Sequence, residues 1–262
     1  MSIEGRVAVV TGSARNLGRA IAEQLAANGA RVIINARSRD KVDQVVADLR
    51  AKGHQAHPSY RSVATPEGCA GVIADAVEGF GTVDILVNNA AIITYRLIHE
   101  MPDEEWVDVL NTDLTAQFRT TKAALPHMME KKWGRIVNVS ANAAMAGSAH
   151  RSHYAAAKGG ILAFTKATAK EYGKYGVTAN AIAPLVQTDE RSEEGEEVPY
   201  GALYSHHNQT TRPDLQTFSA APDTVMPRAH PRDVAPLVAF LASEEAWYIT
   251  GQVISASGGR WM

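Results

Sequence analysis

The chain has 262 residues, 45% of them hydrophobic and 21% charged, enough apolar material to bury in one core, so one domain over residues 1–262 is the simplest reading. Its net charge of −2 offers no sequence-wide attraction for polyanions, which argues against nucleic acid or anionic lipid as the main partner and leaves a small, partly anionic ligand open. Cys69, the only cysteine, excludes an internal disulfide or a cysteine-rich zinc site and suits a reducing compartment, with the cytoplasm expected; no apolar segment is long enough to span a bilayer.

A first strand is expected over Val7–Thr11, with no basic leader before it. It runs into Thr11-Gly12-Ser13-Ala14-Arg15-Asn16-Leu17-Gly18, and a helical pattern follows over Leu17–Asn28. Glycines at such a turn let backbone approach a pyrophosphate, and the amides and dipole of the helix attract its charge. The second strand, Arg31–Ala36, ends at Asn35-Ala36-Arg37. A carboxylate there would bond the two ribose hydroxyls and repel a 2′-phosphate; its absence, with Arg15 and Arg37 suited to bidentate phosphate binding, points to NADP(H) over NAD(H). The bland alternative is that both arginines simply face water.

A helix over Asp40–Lys52, a strand over Gln55–Pro58, a helix over Pro66–Phe80 and a strand over Val83–Asn88 come next. Helical periods over Asp103–Val109 and Leu114–Lys131 lead to a strand at Arg135–Ser140. The helix expected over Ser152–Tyr175 carries Tyr154-Ala155-Ala156-Ala157-Lys158, which sets a phenol and an amine on one helical face. An ammonium at ~4 Å in an effective dielectric of roughly 20 favours the phenolate by about 4 kcal/mol before desolvation, up to roughly three pKa units. Strands over Thr178–Ala183 and Gln252–Ala256 and a helix over Arg232–Ala242 complete the pattern. Seven short apolar runs separated by helices give an α/β, Rossmann-type, doubly wound parallel sheet.

Residues 188–230 break the rhythm with an acidic run (Glu190, Glu193, Glu194, Glu196, Glu197) and little periodicity, and read as either a solvated excursion or a substrate lid. Tyr200, Tyr204 and Phe218 within it could form an apolar substrate wall or anchor the loop. Adjacent His206-His207 lacks a spaced third ligand, so no metal is expected. His150 and His153 either border the substrate or sit at the surface.

These stretches together resemble the short-chain dehydrogenase/reductase family, over Gly5 to Gly259, and are similar in general outline to its 3-oxoacyl-carrier-protein reductases. The resemblance implies a Thr-Gly-x-x-x-Gly-x-Gly fingerprint in which Asn16 replaces the middle glycine, a residue that tolerates left-handed backbone best after glycine. It implies further cofactor contacts at Ser62-Val63 (usually Asp-Val), at Asn89-Ala90-Ala91 (usually ending in glycine), at Pro184 and at Thr188, with Gly12, Ser13, Leu17 and Gly18 in the turn. It also implies that Tyr154 moves the proton during hydride transfer to a ketone or from a secondary alcohol, while Lys158 tunes the phenol and holds the nicotinamide ribose. Asp113 stands where the family has an asparagine whose carbonyl holds a water leading to the lysine; alternatively Asp113 is only a helix N-cap.

The family's serine, thirteen positions before the tyrosine, is Ala141 here. Either Ser140, Asn142 or Ser148 substitutes, or the chain is a weakened variant that binds NADP(H) as a sensor or scaffold. A homotetramer is implied, with the apolar Trp261-Met262 end meeting a neighbouring subunit.

Overall fold

The computed structural model describes residues 3–186, 226 and 229–259. Seven strands form one sheet, parallel throughout: β1 (Val7–Val10), β2 (Arg31–Asn35), β3 (Ala56–Ser59), β4 (Ile85–Asn88), β5 (Gly134–Val139), β6 (Val177–Pro184) and β7 (Val253–Ala256). Their spatial order is β3-β2-β1-β4-β5-β6-β7, so the chain reverses its winding between β1 and β4. Crevices at such a reversal, outside the carboxyl ends of the strands, are where this architecture takes ligands.

The strands read as unbroken apolar runs because both faces of the sheet are covered. Ala8, Val10, Val32, Ile34, Ile85, Val87, Val137 and Val139 enter one core with Leu17, Ile21 and Leu25 of α1 (Asn16–Ala27) and Val234 and Val238 of a helix at Pro231–Leu241. Val7, Val9, Ile33, Leu86 and Ile136, which alternate with them, enter a second core with α3 (Pro66–Phe80) and α5 (Ala116–Glu130). α2 (Arg39–Ala51) lies in the first layer through Val42, Val45 and Leu49. Truncating a fully buried member such as Ile33 to alanine would cost about 2–5 kcal/mol.

Local chemistry explains several ends. Thr65 caps α3 by accepting from the Gly68 N–H at 3.1 Å, Pro66 occupies its first turn, and Gly81 ends it at φ 84°. At Pro231–Leu241, His230 accepts from the Arg232 N–H, and Asp233 accepts from the His230 N–H at 2.7 Å. These reciprocal bonds close the helix start.

Two boundaries differ from the periodicity. The helix that starts at Ser152, α7, ends at Tyr172, and Gly173–Tyr175 tighten into a 3₁₀ turn that closes on Gly176 at φ 75°. A side chain at Gly176 would lie 2.2 Å from the Lys132 carbonyl oxygen, so glycine fixes that turn. The stretch expected as two helices is continuous: α4 (Asp103–Leu110) passes through a π-helical segment, Asn111–Thr115, into α5. Asp113 sits inside that segment, which rules out its reading as an N-cap. The short helix α6 (Ala143–Ala146) follows β5, and α8 denotes Pro231–Leu241.

Among the described residues no helix is long and apolar enough to cross a membrane. Residues 188–225, including Thr188, Tyr200, Tyr204, His206, His207 and Phe218, and the end at Trp261 and Met262 lie outside the described residues, so the lid, wall and terminal readings rest on sequence alone.

Candidate active site

The turn after β1 is built for close approach. Gly12 has φ 65°, and a Cβ there would come within 3.0 Å of the Ala90 Cα. Gly18 is tighter still, since its Cβ would meet the Gly12 carbonyl oxygen at 2.3 Å. Asn16 opens α1 at φ 48°, so asparagine takes the left-handed angle that glycine would otherwise supply. Ser13 donates its hydroxyl to the Val10 carbonyl and accepts from the Asn35 N–H, which fixes the turn to the end of β2. Leu17 and Gly18 are buried in the first turn of α1.

Across the reversal, Asn89 and Ala90 both donate their N–H to Thr11 Oγ1, at 2.9 and 3.1 Å, and the Asn89 amide donates to the Thr11 and Gly12 carbonyls. Asn88 donates to Asn138 and Thr121 and accepts from Thr120, locking β4 to β5 and α5. Ala91 is half-buried beyond this clamp. Val63 is buried, Ser62 half-buried, and the Ser62 carbonyl is covered so closely that a Cβ at Gly68 would meet it at 1.8 Å.

Arg15 and Arg37 are both exposed, one at the start of α1 and one just past β2. Beside α1, Ala14, Arg15, Arg19, Asp40, Lys41 and Gln44 line a hollow of about 310 Å³. Arg19 is already paired with Glu23 and Asp48, both at 2.8 Å. A phosphate-bearing dinucleotide fits this donor set: a glycine turn packed closely on the segment after β4, the start of α1 and an exposed guanidinium, Arg15, lining the hollow beside it.

Tyr154 and Lys158 stand on one face of α7, both buried, with Lys158 Nζ 5.4 Å from the centre of the Tyr154 ring. Nζ donates to the Val139 carbonyl at 3.1 Å, which pins the amine to the carboxyl end of β5. Asp113, fully buried, has one oxygen 3.5 Å from Nζ and the other accepting from the Ile92 N–H at 2.8 Å. Burial pushes the Asp113 carboxyl up to about 6, although Lys158 pulls it down; burial likewise lowers the Lys158 ammonium, against the pull of Asp113. The π-helical turn therefore places a carboxylate where it can hold the amine, with its other oxygen tying the segment that follows β4.

Ser140, the serine beside the expected position, is not free to act: its hydroxyl donates to the Lys158 carbonyl at 2.8 Å, which spends its single proton on the helix backbone. Ala141, by contrast, packs in the apolar cluster that contains Tyr154, Ile93, Tyr95 and Val109. Pro184 ends β6, where Leu185 donates to the Ala256 carbonyl.

The surface reading of His153 is overturned. Its ring is fully buried, with Nε2 2.6 Å from Thr94 Oγ1 and 3.8 Å from Glu105, and burial lowers its pKa. Glu105 is also paired with Arg96 at 3.0 Å, so Thr94, Arg96, Glu105 and His153 tie α4 and the segment after β4 to the residue before Tyr154. Nothing in the sequence marks this network, because its members are far apart in the chain and lie on no shared period.

A family model described as short chain dehydrogenase matches residues 6–198. The chain belongs to the short-chain dehydrogenase family.

Its relatives in that family include the 3-oxoacyl-[acyl-carrier-protein] reductase FabG of Vibrio cholerae, 39% identical over the whole of both chains, and that of Escherichia coli K12, 37% identical over the whole of both. A crystal structure from Agrobacterium tumefaciens assigned as a gluconate dehydrogenase superposes with a TM-score of 0.85 at 33% identity, covering 99% of this chain and 97% of the other. As a short-chain dehydrogenase the protein is an oxidoreductase acting on the CH–OH/C=O pair. Two of the residues expected from sequence to depart from the family pattern, Asp113 and Ala141, stand beside Lys158 and in the cluster with Tyr154.

Proposed function

We propose that this short-chain dehydrogenase is an NADP(H)-dependent reductase of ketones, with 3-oxoacyl thioesters as the first class to try. The observation that carries the reading is the buried Tyr154–Lys158 pair at the end of β5, one strand from the glycine turn of β1 and β4. A nicotinamide cofactor, when bound, supplies the hydride that adds to the carbonyl carbon. As the C=O π electrons move to oxygen, Tyr154 passes its phenolic proton to that oxygen, leaving a secondary alcohol and a phenolate. Lys158, whose Nζ lies 5.4 Å from the centre of the Tyr154 ring, stabilises that phenolate by its charge, and Asp113 offsets part of this.

The cofactor-binding residues in this reading are Gly12, Ser13, Arg15, Asn16, Leu17 and Gly18 of the turn, and Arg37 past β2. Ser62, Val63, Asn89, Ala90, Ala91, Pro184 and Thr188 border the rest, with Tyr154 and Lys158 at the nicotinamide end. The relatives named as 3-oxoacyl-[acyl-carrier-protein] reductases support the substrate class, and the dehydrogenase from Agrobacterium tumefaciens keeps sugar-derived ketones on the panel.

A second reading, an NADP(H)-binding protein with little catalysis, draws on Ala141 and on the engaged Ser140 hydroxyl. Initial rates of NADPH and NADH oxidation against 3-oxoacyl thioesters, quinones and sugar-derived ketones separate the two. Turnover that favours NADPH by tenfold or more supports the reductase; tight NADPH binding with no turnover, even in Ala141→Ser, supports the binding protein.

A further inference from the structure

A carbonyl oxygen that gains negative charge during hydride transfer is served best by two donors, and Tyr154 is one. Three polar residues lie close enough in the chain to be the other. Ser140 spends its proton on the Lys158 carbonyl, and Ser148 is only half-buried, its Oγ accepting from the Arg151 guanidinium at 2.9 Å, so water can take its O–H. Asn142 is different. Both its amide atoms are buried and find no hydrogen-bond partner. Since Nδ2 and Oδ1 are equally unpaired, an N–H donor is left over whichever way the amide is turned. A buried unpaired amide is costly, and folded proteins keep few of them.

Its surroundings follow from the turn it begins. The Ala144 and Met145 N–H groups donate to the Ala141 and Asn142 carbonyls, and Asn142 itself has helical backbone angles just ahead of α6. Ala141 and Ala143, on either side of it in the chain, both pack against the cluster that holds Tyr154, while Met145, Ala146 and Gly147 are exposed. Asn142 is 9% exposed, so its unpaired amide is buried next to that cluster.

We propose that Asn142 is a catalytic residue whose amide N–H donates to the substrate carbonyl oxygen that Tyr154 protonates. The proposal rests on the reductase reading and supplies the second donor that Ala141 lacks. The amide changes no bonds: hydride adds to carbon, the π pair moves to oxygen, the proton comes from Tyr154, and the N–H bond holds the oxygen throughout.

The test uses the full chain with NADPH and acetoacetyl-coenzyme A, extended to the ketone panel above. Asn142→Ala should lower kcat by about 100-fold, the usual loss of one such donor, with NADPH affinity unchanged. Its melting temperature should hold or rise, because an unpaired buried amide has been removed; a residue with only a structural role would show the reverse. Asn142→Asp, which keeps the shape but loses the N–H, should be equally slow and decides the matter should Asn142→Ala melt early. Adding Ala141→Ser to Asn142→Ala should recover tenfold or more. Wild-type turnover with Asn142→Ala and Asn142→Asp both within about threefold overturns the inference and leaves the reductase standing. Silence of wild type and Ala141→Ser across the panel, with NADPH bound, overturns the reductase reading and the inference with it.

Discussion

At the scale of single residues, the unusual member of the site is Asp113. A carboxylate within 3.5 Å of a buried ammonium holds the amine in place and also offsets part of the positive field it presents to Tyr154. Burial raises its carboxyl from 3.8 to about 6. The unfolded chain releases this proton near 3.8 and the folded chain near 6, so between those values the fold binds more protons and loses stability as pH rises. Relative to Asp113→Asn, wild type should lose about 3 kcal/mol between about pH 4 and about pH 6, read as a shift in urea midpoint. A difference that stays flat or grows with pH over that window would contradict the arrangement. The Lys158→Ala variant removes the amine that Asp113 faces and leaves a buried carboxylate unpaired, a loss of about 3–5 kcal/mol above pH 6 that should appear in thermal melts.

Among elements, the β1–α1 turn and the end of β2 carry the proposed choice of cofactor. Arg15 and Arg37 are exposed there, and NADPH and NADH differ by one phosphate. Replacing Arg37 with Asp should weaken NADPH binding by tenfold or more while leaving NADH within about threefold or improving it, measured by fluorescence titration. Equal losses for both cofactors would show that Arg37 does not face the phosphate.

The central strands β1, β2 and β4 and the helices beside them were legible because these strands are apolar on both faces and helices such as α1 and α2 have one apolar stripe, signals that survive in a single sequence. The Tyr154–Lys158 pair was legible for a similar reason, being local to one helical turn. What escaped depends on contacts between distant segments. A π-helical turn at Asn111–Thr115 has the same composition as an α-helical one, so the continuity of α4 and α5 and the burial of Asp113 had no marker. His153 became a buried residue only because Thr94 and Glu105, remote in sequence, meet it. Ser140 reads as a substitute donor in the sequence, and only the fold brings the Lys158 carbonyl within 2.8 Å of its hydroxyl.

For the whole molecule, the described surface shows Ile98, Val107, Phe118, Trp247 and Tyr248 exposed, more apolar surface than a lone chain needs. Self-association would cover it, and a tetramer is proposed. Sedimentation at micromolar concentration should find four chains; a monomer that persists at higher concentration would contradict it. Cofactor binding couples to the fold as a whole: at a hundredfold excess over Kd, NADPH should stabilise the chain by about 2.7 kcal/mol, with NADH at the same concentration giving less.

The proposed chemistry converges on one phenol, beside a buried amine, giving its proton to the substrate. Single-turnover hydride transfer from bound NADPH to acetoacetyl-coenzyme A, or to the best ketone of the panel, measured in Tyr154→Phe against wild type, tests this most directly. The expected result is a rate lower by about 10²–10⁴ with NADPH affinity intact. Transfer within about threefold of wild type would contradict it.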